Sequence, residues 1–320
     1  MSSAVSIADV TKTFGATVAV NQLSLMVPRG VVYGFIGPNG SGKSTTLRMI
    51  MRIYHPDSGR IEVLGEDATS GGAASDRVGY LPEERGLYRK MKVHDLLKFY
   101  AELKGRRVNN AEIDGWLNRI DLPGVGPKPV ESLSKGMAQK VQFLTTILHE
   151  PELLILDEPF SGLDPVNMEV VKDVILEQRR RGATIIFSTH DMEVAEKMCD
   201  FIFMIYKGRK VLDGTLLSIQ ERFGRDTVRV RCEGNGVDFE QLPGVERVNN
   251  YGQLQELRMS QGSDSQAVLA ALVARTRVSH FEIATPTLHD IFVRIAGPAA
   301  EPEPDGAARI KFQPASSGGV

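Results

Sequence analysis

Gly37-Pro38-Asn39-Gly40-Ser41-Gly42-Lys43-Ser44-Thr45 decides how this chain is read. The stretch spells G-x-x-x-x-G-K-S-T, a phosphate-binding loop. The apolar run Val31 to Ile36 just before it predicts a buried strand, and Leu47-Arg48-Met49-Ile50-Met51 just after it predicts a helix. Strand, glycine-rich loop and helix is the setting in which the motif carries meaning. A chance glycine-rich turn is the competing reading, and it does not account for those flanks. Gly40 and Gly42 let the backbone curl, so that successive N–H groups point inward and form an anion nest. The helix N-terminus adds its positive end. Lys43 supplies a point charge for β- and γ-phosphates, and the Ser44 hydroxyl is a hard oxygen suited to Mg²⁺. Gly37 through Thr46 are therefore the candidate phosphate contacts.

The chain of 320 residues suggests one large or two modest domains. Its composition, 42% hydrophobic and 24% charged, is that of a folded protein. A formal net charge of −2 gives no electrostatic argument for nucleic acid, and none is expected as a partner. Cys199 and Cys232 form no C-x-x-C pair, which fits a reducing cytosol better than a disulfide framework. Met1-Ser2-Ser3-Ala4-Val5 lacks the basic-then-apolar layout of a signal peptide. No apolar run approaches the roughly 18 residues of a membrane span. Work at a membrane would need a partner that supplies the span.

Residues 4–30 alternate loosely between turn signals at Phe14-Gly15 and Pro28-Arg29-Gly30, and read as short antiparallel strands. Strands resume at Gly59 to Gly65 and Val78 to Leu81. From residue 91 the period changes: Val93, Leu96, Leu97 and Tyr100, then Ile113, Trp116, Leu117 and Ile120, make amphipathic helical stripes. A mainly helical insert is expected over 86–150. Strand and helix then alternate, which signals a parallel sheet with helices on both faces. Leu153 to Leu156 and Thr184 to Ser188 are strands. Asp164-Pro165 starts a helix, with Val170, Val171, Val174 and Ile175 on its buried side. Phe201 to Tyr206 and Lys210 to Leu212 flank a hairpin turn. The pattern breaks near 220. Strands at Thr227 to Cys232, Leu254 to Met259 and Ser279 to Ile283, with helices at Ser263 to Arg275 and after Thr285-Pro286, predict a small α+β domain over 225–297. Residues 298–320, rich in Pro, Glu, Ala, Gly and Ser, are expected to be disordered.

Leu153-Leu154-Ile155-Leu156-Asp157-Glu158 is four aliphatics ending in two acids. A buried strand of an open α/β sheet delivers its C-terminal end to the ligand crevice. There Asp157 would hold Mg²⁺ through water, and Glu158 would polarise the water that attacks a γ-phosphate. Solvated acids at a strand end are the competing reading, which the neighbouring phosphate loop weakens. Ser188-Thr189-His190 ends the next strand. His190 can hydrogen-bond a γ-phosphate oxygen, or it can be a helix-cap neighbour with no chemistry. Leu133-Ser134-Lys135-Gly136-Met137 precedes a helix with Val141, Leu144, Ile147 and Leu148 on one face. Ser134 can cap that helix, and a capped N-terminus is also an anion site.

The ordered set resembles the nucleotide-binding subunit of ABC transporters over about residues 4–220. It comprises Phe14, the loop at 37–45, Gly79-Tyr80-Leu81-Pro82-Glu83, Leu133 to Met137, Leu156-Asp157-Glu158, Ser161-Gly162-Leu163-Asp164 and Ser188-Thr189-His190. The stretch Tyr80 to Tyr88 and Pro286-Thr287-Leu288-His289-Asp290-Ile291-Phe292 are similar to the branch that includes sodium-efflux-type exporters. The resemblance implies an α/β P-loop core with an antiparallel β flank and a helical insert, followed by a small α+β domain. It implies ATP hydrolysis with Mg²⁺, Lys43, Glu158 and His190 being catalytic. Phe14 would stack on adenine. Ser134, Gly136 and Met137 would contact the ATP of a second copy in a head-to-tail homodimer, and Asp164 would connect the two sites. An integral membrane permease would carry the cargo, outward by preference, with this chain at the cytoplasmic face of the membrane. The groove beside Glu83 and the insert would pass motion to that permease. Related ATPases act in translation or DNA repair without a membrane. Those usually carry two cassettes or long coiled coils, and this chain has one motif set and no sustained heptads. Two positions depart from the family pattern. Lys135 stands in place of the signature's first Gly, and Glu83 stands where Gln is usual. Ionised Glu only accepts hydrogen bonds, so contacts to Mg²⁺ and water survive the change but donor contacts do not.

Overall fold

Each strand beneath the phosphate loop is apolar on both faces, because each is covered on both sides. Along Leu153–Asp157, Leu153 and Ile155 face one cluster and Leu154 and Leu156 another, and all four are fully buried. Period-2 alternation between two dry faces is what a central parallel strand requires. Burying one such leucine stabilises the fold by about 1.5–3 kcal/mol relative to leaving it exposed.

The computed structural model describes residues 3–68, 74–84, 86–224, 226–233, 237–260 and 262–296. The expected disorder of 298–320, and Arg85 of the 80–88 stretch, lie outside the described residues. In chain order the core elements are β1 (Ser3–Phe14), β2 (Thr17–Pro28), β3 (Val32–Ile36), α1 (Lys43–Ile50), β4 (Ser58–Val63), β5 (Glu66–Asp67), β6 (Val78–Leu81), α2 (Val93–Leu103), α3 (Asn110–Arg119), α4 (Lys135–Ile147), β7 (Leu153–Asp157), α5 (Pro165–Arg180), β8 (Thr184–Thr189), α6 (Met192–Met198), β9 (Phe201–Tyr206), β10 (Arg209–Gly214) and α7 (Leu216–Phe223). The remainder is β11 (Thr227–Glu233), β12 (Val245–Asn250), β13 (Gln255–Met259), α8 (Ser265–Val273), β14 (Arg277–Ala284) and α9 (Leu288–Ala296).

The main sheet has the order β10-β9-β3-β8-β7-β6, with β10 antiparallel to β9 and every other pairing parallel. Strand β3 therefore sits centrally between β8 and β9, and its C-terminal end opens into the phosphate loop. A four-stranded antiparallel sheet, β2-β1-β4-β5, covers one face with α1. Helices α2 to α5 cover the other. The N-terminal strands are twelve residues each rather than short, because one tight turn at Gly15-Ala16 joins them and irregularities in β1 absorb the twist.

The last segment forms a third sheet, β12-β13-β11-β14, with α8 on one face. Strand β12 was not expected. Its edge position leaves most of its side chains partly or fully exposed, so its sequence shows no apolar alternation. Helix α7 also crosses the expected break near 220. Most informative is α9, read from the sequence as part of the small C-terminal unit. Its Leu288 and Ile291 are fully buried among Ile36, Ala195, Ile202, Met204, Leu212 and Ile219. The chain leaves the core after α7, builds the third sheet, and returns to the core with α9.

Candidate functional site

Tight backbone approach shapes the phosphate loop. Gly42 has φ 111°, and a Cβ there would lie 2.6 Å from the Ala19 carbonyl oxygen. A Cβ on Gly37 would lie 2.3 Å from the carbonyl oxygen of Ile205. The loop is thus wedged between β2 and β9, where only glycine fits. The Lys207-Gly208 turn braces it: Gly208 N–H donates to Ser41 O at 2.9 Å, and Asn21 N–H donates to Gly208 O at 2.9 Å. Sequence reasoning read the hairpin turn at Gly208 but not its contact with the loop, and Ala19 carries no local signal. Lys43 Nζ donates to Gly37 O at 2.7 Å and Pro38 O at 3.2 Å, and lies 3.8 Å from Glu158 Oε1. Burial pushes the Lys43 pKa down, while Glu158, Asp157 and Glu83 act against that shift.

The acids arrive on β7. Asp157 is fully buried. Its Oδ1 accepts from Ser44 Oγ at 3.1 Å and from Ser188 Oγ at 2.5 Å. Ser188 Oγ in turn accepts from the Glu158 N–H at 3.0 Å, so one hydroxyl locks the tips of β7 and β8 together. Sequence reading gave chemistry to His190 and passed over Ser188. Asp157 Oδ2 is buried with no hydrogen-bond partner among the described residues. A buried carboxylate oxygen left open beside a serine hydroxyl fits a hard cation. Ser44 and Asp157 would hold Mg²⁺. Among the described residues no three His, Cys, Asp or Glu side chains gather as a metal cluster, so phosphate and water would supply the remaining ligands.

Glu158 sits at φ 50°, a left-handed conformation that costs a non-glycine residue about 1–3 kcal/mol. The turn aims its carboxylate at the loop. His190 Nδ1 lies 3.1 Å from both carboxylate oxygens. Burial raises the Glu158 pKa above the usual glutamate value, and His190 and Lys43 oppose the rise. A cleft of about 250 Å³ is lined by Asn39, Gly40, Lys43, Ser44, Glu83 and Glu158, together with Ala19, Gly42 and Thr45. Glu83 thus faces the phosphate loop. Glu84 does not line the cleft; its carbonyl accepts from Gln142 Nε2 at 3.3 Å, which pins the loop to α4.

Other sequence-selected residues lie outside that cleft. Phe14 ends β1 with 43% of its surface exposed, edge-on to Tyr54 at 5.2 Å. Ser134 caps α4, accepting from Met137 N–H at 3.3 Å. Gly136 faces the Leu163 side chain, where a Cβ would make ordinary contact at 3.9 Å. Asp164 caps α5, accepting from Val166 N–H and Asn167 N–H at 3.1 and 3.0 Å, and these bonds hold its pKa low. Lys140, buried on α4, donates to Asn167 Oδ1 at 2.7 Å. That bond ties the second turn of α4 to the first turn of α5, and the sequence pattern did not reveal it.

A phosphate loop on the central strand β3, two acids at the end of β7 two strands away and a capped helix in the inserted segment define an ABC-type ATPase. The sequence matches the family described as ABC transporter over residues 20–161. It also matches the family described as ATP-binding protein DrrA1-3-like, C-terminal domain, over 214–296. The ABC transporter ATP-binding protein YhaQ of Bacillus subtilis is 40% identical over 294 residues, 91% of this chain and 98% of that protein. Nod factor export ATP-binding protein I of Sinorhizobium fredii is 32% identical, covering 92% of this chain and 86% of that one. A solved structure titled "Structure of ATP binding subunit of ABC transporter" shares 32% identity with a TM-score of 0.63, covering 69% of this chain and 93% of that one. The chain belongs to the family of ABC transporter ATP-binding subunits. Within it, the DrrA1-3-like C-terminal match places it on the branch whose members carry this C-terminal extension. Its activity is ATP hydrolysis that powers transport, which sets aside the translation and DNA-repair alternatives. Among the described residues no helix is long and apolar enough to cross a membrane.

Proposed function

We propose that this subunit hydrolyses MgATP in the cleft between Asn39 and Glu158 and drives export through a separate membrane permease. The carrying observation is the convergence of Lys43, Asp157, Glu158 and His190 around the phosphate loop, with an open carboxylate oxygen on Asp157. Gly37 to Thr46 cradle the phosphates through backbone N–H groups and Lys43. Glu158 accepts a proton from the attacking water, and His190 orients that carboxylate. Mg²⁺ supplies charge neutralisation of the phosphates when bound, held through Ser44 and Asp157, with Glu83 facing the same cleft. Lys43, held at the loop by Gly37 O and Pro38 O, places its ammonium beside Glu158. Phe14, exposed at the end of β1, stacks on adenine.

Ser134 and Asp164 are exposed at the N-termini of α4 and α5, Gly136 and Met137 are half-buried beside Ser134, and none of the four lines the cleft at the phosphate loop. That separation supports a head-to-tail homodimer in which each signature contacts the partner's ATP. Lys135 at the first turn of α4 adds a cation there. The permease docks in the groove beside Glu83 and the insert, where Tyr88, Phe99 and Tyr100 of the insert form a partly exposed aromatic patch. Docking there places the chain at the cytoplasmic face of the membrane. Export as the direction draws on the Nod factor relative's printed name. The test is co-purification of the tagged full chain with an integral membrane protein whose presence raises Mg²⁺-dependent ATPase activity. ATPase activity with no membrane partner recovered under gentle solubilisation would overturn the transport assignment.

A further inference from the structure

The third sheet has one dry face and one charged face. Val228, Leu257 and Val248 pair in register and bury against Val268 and Leu272 of α8. The opposite face turns toward α9, and there the register sets Arg247 directly across from Arg258. Like charges directly opposite on neighbouring strands destabilise a sheet. Nothing in this small sheet's packing demands two arginines at that pair.

The nearby acids are already engaged. Asp226 accepts both Arg294 terminal nitrogens at 3.1 and 2.9 Å. Glu256 accepts from Arg229 Nε at 3.1 Å. Asp290 accepts from Thr287 N–H and Oγ, and lies 3.7 Å from Arg229. Arg258 Nε is shielded from solvent yet has no hydrogen bond among the described residues, its nearest acid oxygen being Asp226 Oδ2 at 3.9 Å. Arg247 has no ion pair or hydrogen bond among the described residues and is exposed. Both arginines line a cavity of about 710 Å³ between the sheet and α9, with His289, Arg294 and the two engaged acids Glu256 and Asp290 on its other walls. That volume lies within the range of small-molecule sites, roughly 300–1,000 Å³.

We propose that this groove binds a phosphoryl group, gripped between Arg247 and Arg258. Each guanidinium offers a planar fork of donors matched to phosphate oxygens. Two forks approaching from adjacent strands need more acceptor oxygens than one carboxylate presents, and a phosphoryl group presents three. The bound charge removes the repulsion between the pair. The remaining volume accommodates the body of a small phosphorylated molecule or the headgroup of a phospholipid. Because α9 forms one wall and buries its other side against Ile36 and Ala195, occupancy bears on the elements leading into the phosphate loop and following His190.

The test uses the full chain carrying Lys43→Ala, so that the phosphate loop does not dominate binding. Pyrophosphate is titrated by calorimetry, and sedimentation is measured with phosphatidylcholine vesicles with and without phosphatidic acid. Saturable pyrophosphate binding weakened about tenfold or more by Arg247→Gln, and likewise by Arg258→Gln, is expected from losing a charge-assisted contact. Sedimentation only with phosphatidic acid, lost in the same variants, assigns the site to a lipid headgroup; pyrophosphate binding without sedimentation assigns it to a soluble ligand. Arg247→Gln should not lower the ligand-free melting temperature, since it removes only repulsion. Binding of both probes that ignores the two arginines, or no binding of either, overturns the site.

Discussion

Glu158 is held at a positive φ beside a histidine and a buried lysine. Glu158→Gln should retain ATP binding and slow hydrolysis by about 10²–10⁴-fold, the scale of losing a general base. That is roughly 3–5 kcal/mol of barrier. Single-turnover rates within a few-fold of wild type would remove Glu158 from the role. Burial also sets the pH at which this base works. Its pKa is raised, and only the ionised carboxylate accepts a proton, so the acid limb of the ATPase profile should lie above the ordinary glutamate range. His190 opposes that rise through its hydrogen bond, so His190→Ala should move the limb to still higher pH. A limb that stays in place shows that the hydrogen bond does not tune the base. The two neighbouring acids of the 83–84 loop separate by geometry, since Glu83 lines the cleft and Glu84 is anchored through its carbonyl to Gln142. Glu83→Ala should lower ATPase activity with ATP affinity little changed, and Glu83→Gln, which keeps an oxygen ligand, should be milder. Greater damage from Glu84→Ala would shift the role to that residue.

At the scale of elements, legibility followed locality. Strand β7 was readable because four aliphatics in a row can be little else beside a phosphate loop. Helices α4 and α5 were readable from their caps, Ser134 and Asp164. Strand β12 was not, since an edge strand of mixed polarity leaves no period to detect. Nor could Ser188's lock on Asp157, Ala19's wall behind Gly42 or Lys140's bond to Asn167 be read. Each depends on which elements the sheet order brings together, and spacing along the chain does not encode that. The exit of α4 carries its own pH response. Burial and the neighbouring Lys104 push the His149 pKa down from 6.5 to about 4. A histidine depressed in the folded state contributes stability above its unfolded pKa and loses it as pH falls through the folded one. With its partial exposure discounted, the loss between pH 6.5 and 4 should be on the order of 2 kcal/mol. His149→Gln should flatten that part of the stability curve in urea titrations at stepped pH. An unchanged curve places the acid sensitivity elsewhere.

For the whole molecule, the chain's path out to the third sheet and back decides what can be removed. All motifs around the phosphate loop precede residue 191, which makes a truncation at 225 look harmless on sequence grounds. Packing opposes that view, because the truncation also removes α9. Leu288 and Ile291 are fully buried against Ile36, Ala195 and Ile219, and the Leu288 N–H donates to the Glu196 carboxylate of α6. Losing two such side chains costs about 3–6 kcal/mol and uncovers the apolar surface beneath them. The truncated protein should therefore melt on the order of 5–10 °C lower than the full chain. A second deletion separates the sheet from the helix. Thr227 and Ala284 are register partners on adjacent antiparallel strands, so their Cα atoms lie about 4.5–5.5 Å apart. Replacing 228–283 by a short glycine linker keeps α9 seated and removes only the third sheet and the helix α8 that covers it. That variant should bind ATP as tightly as the full chain and melt above the truncation, while losing the pyrophosphate binding assigned to Arg247 and Arg258. If the truncation at 225 melts with the full chain instead, the buried contacts of α9 contribute nothing to the core, and the helix is a passenger of the sheet it follows.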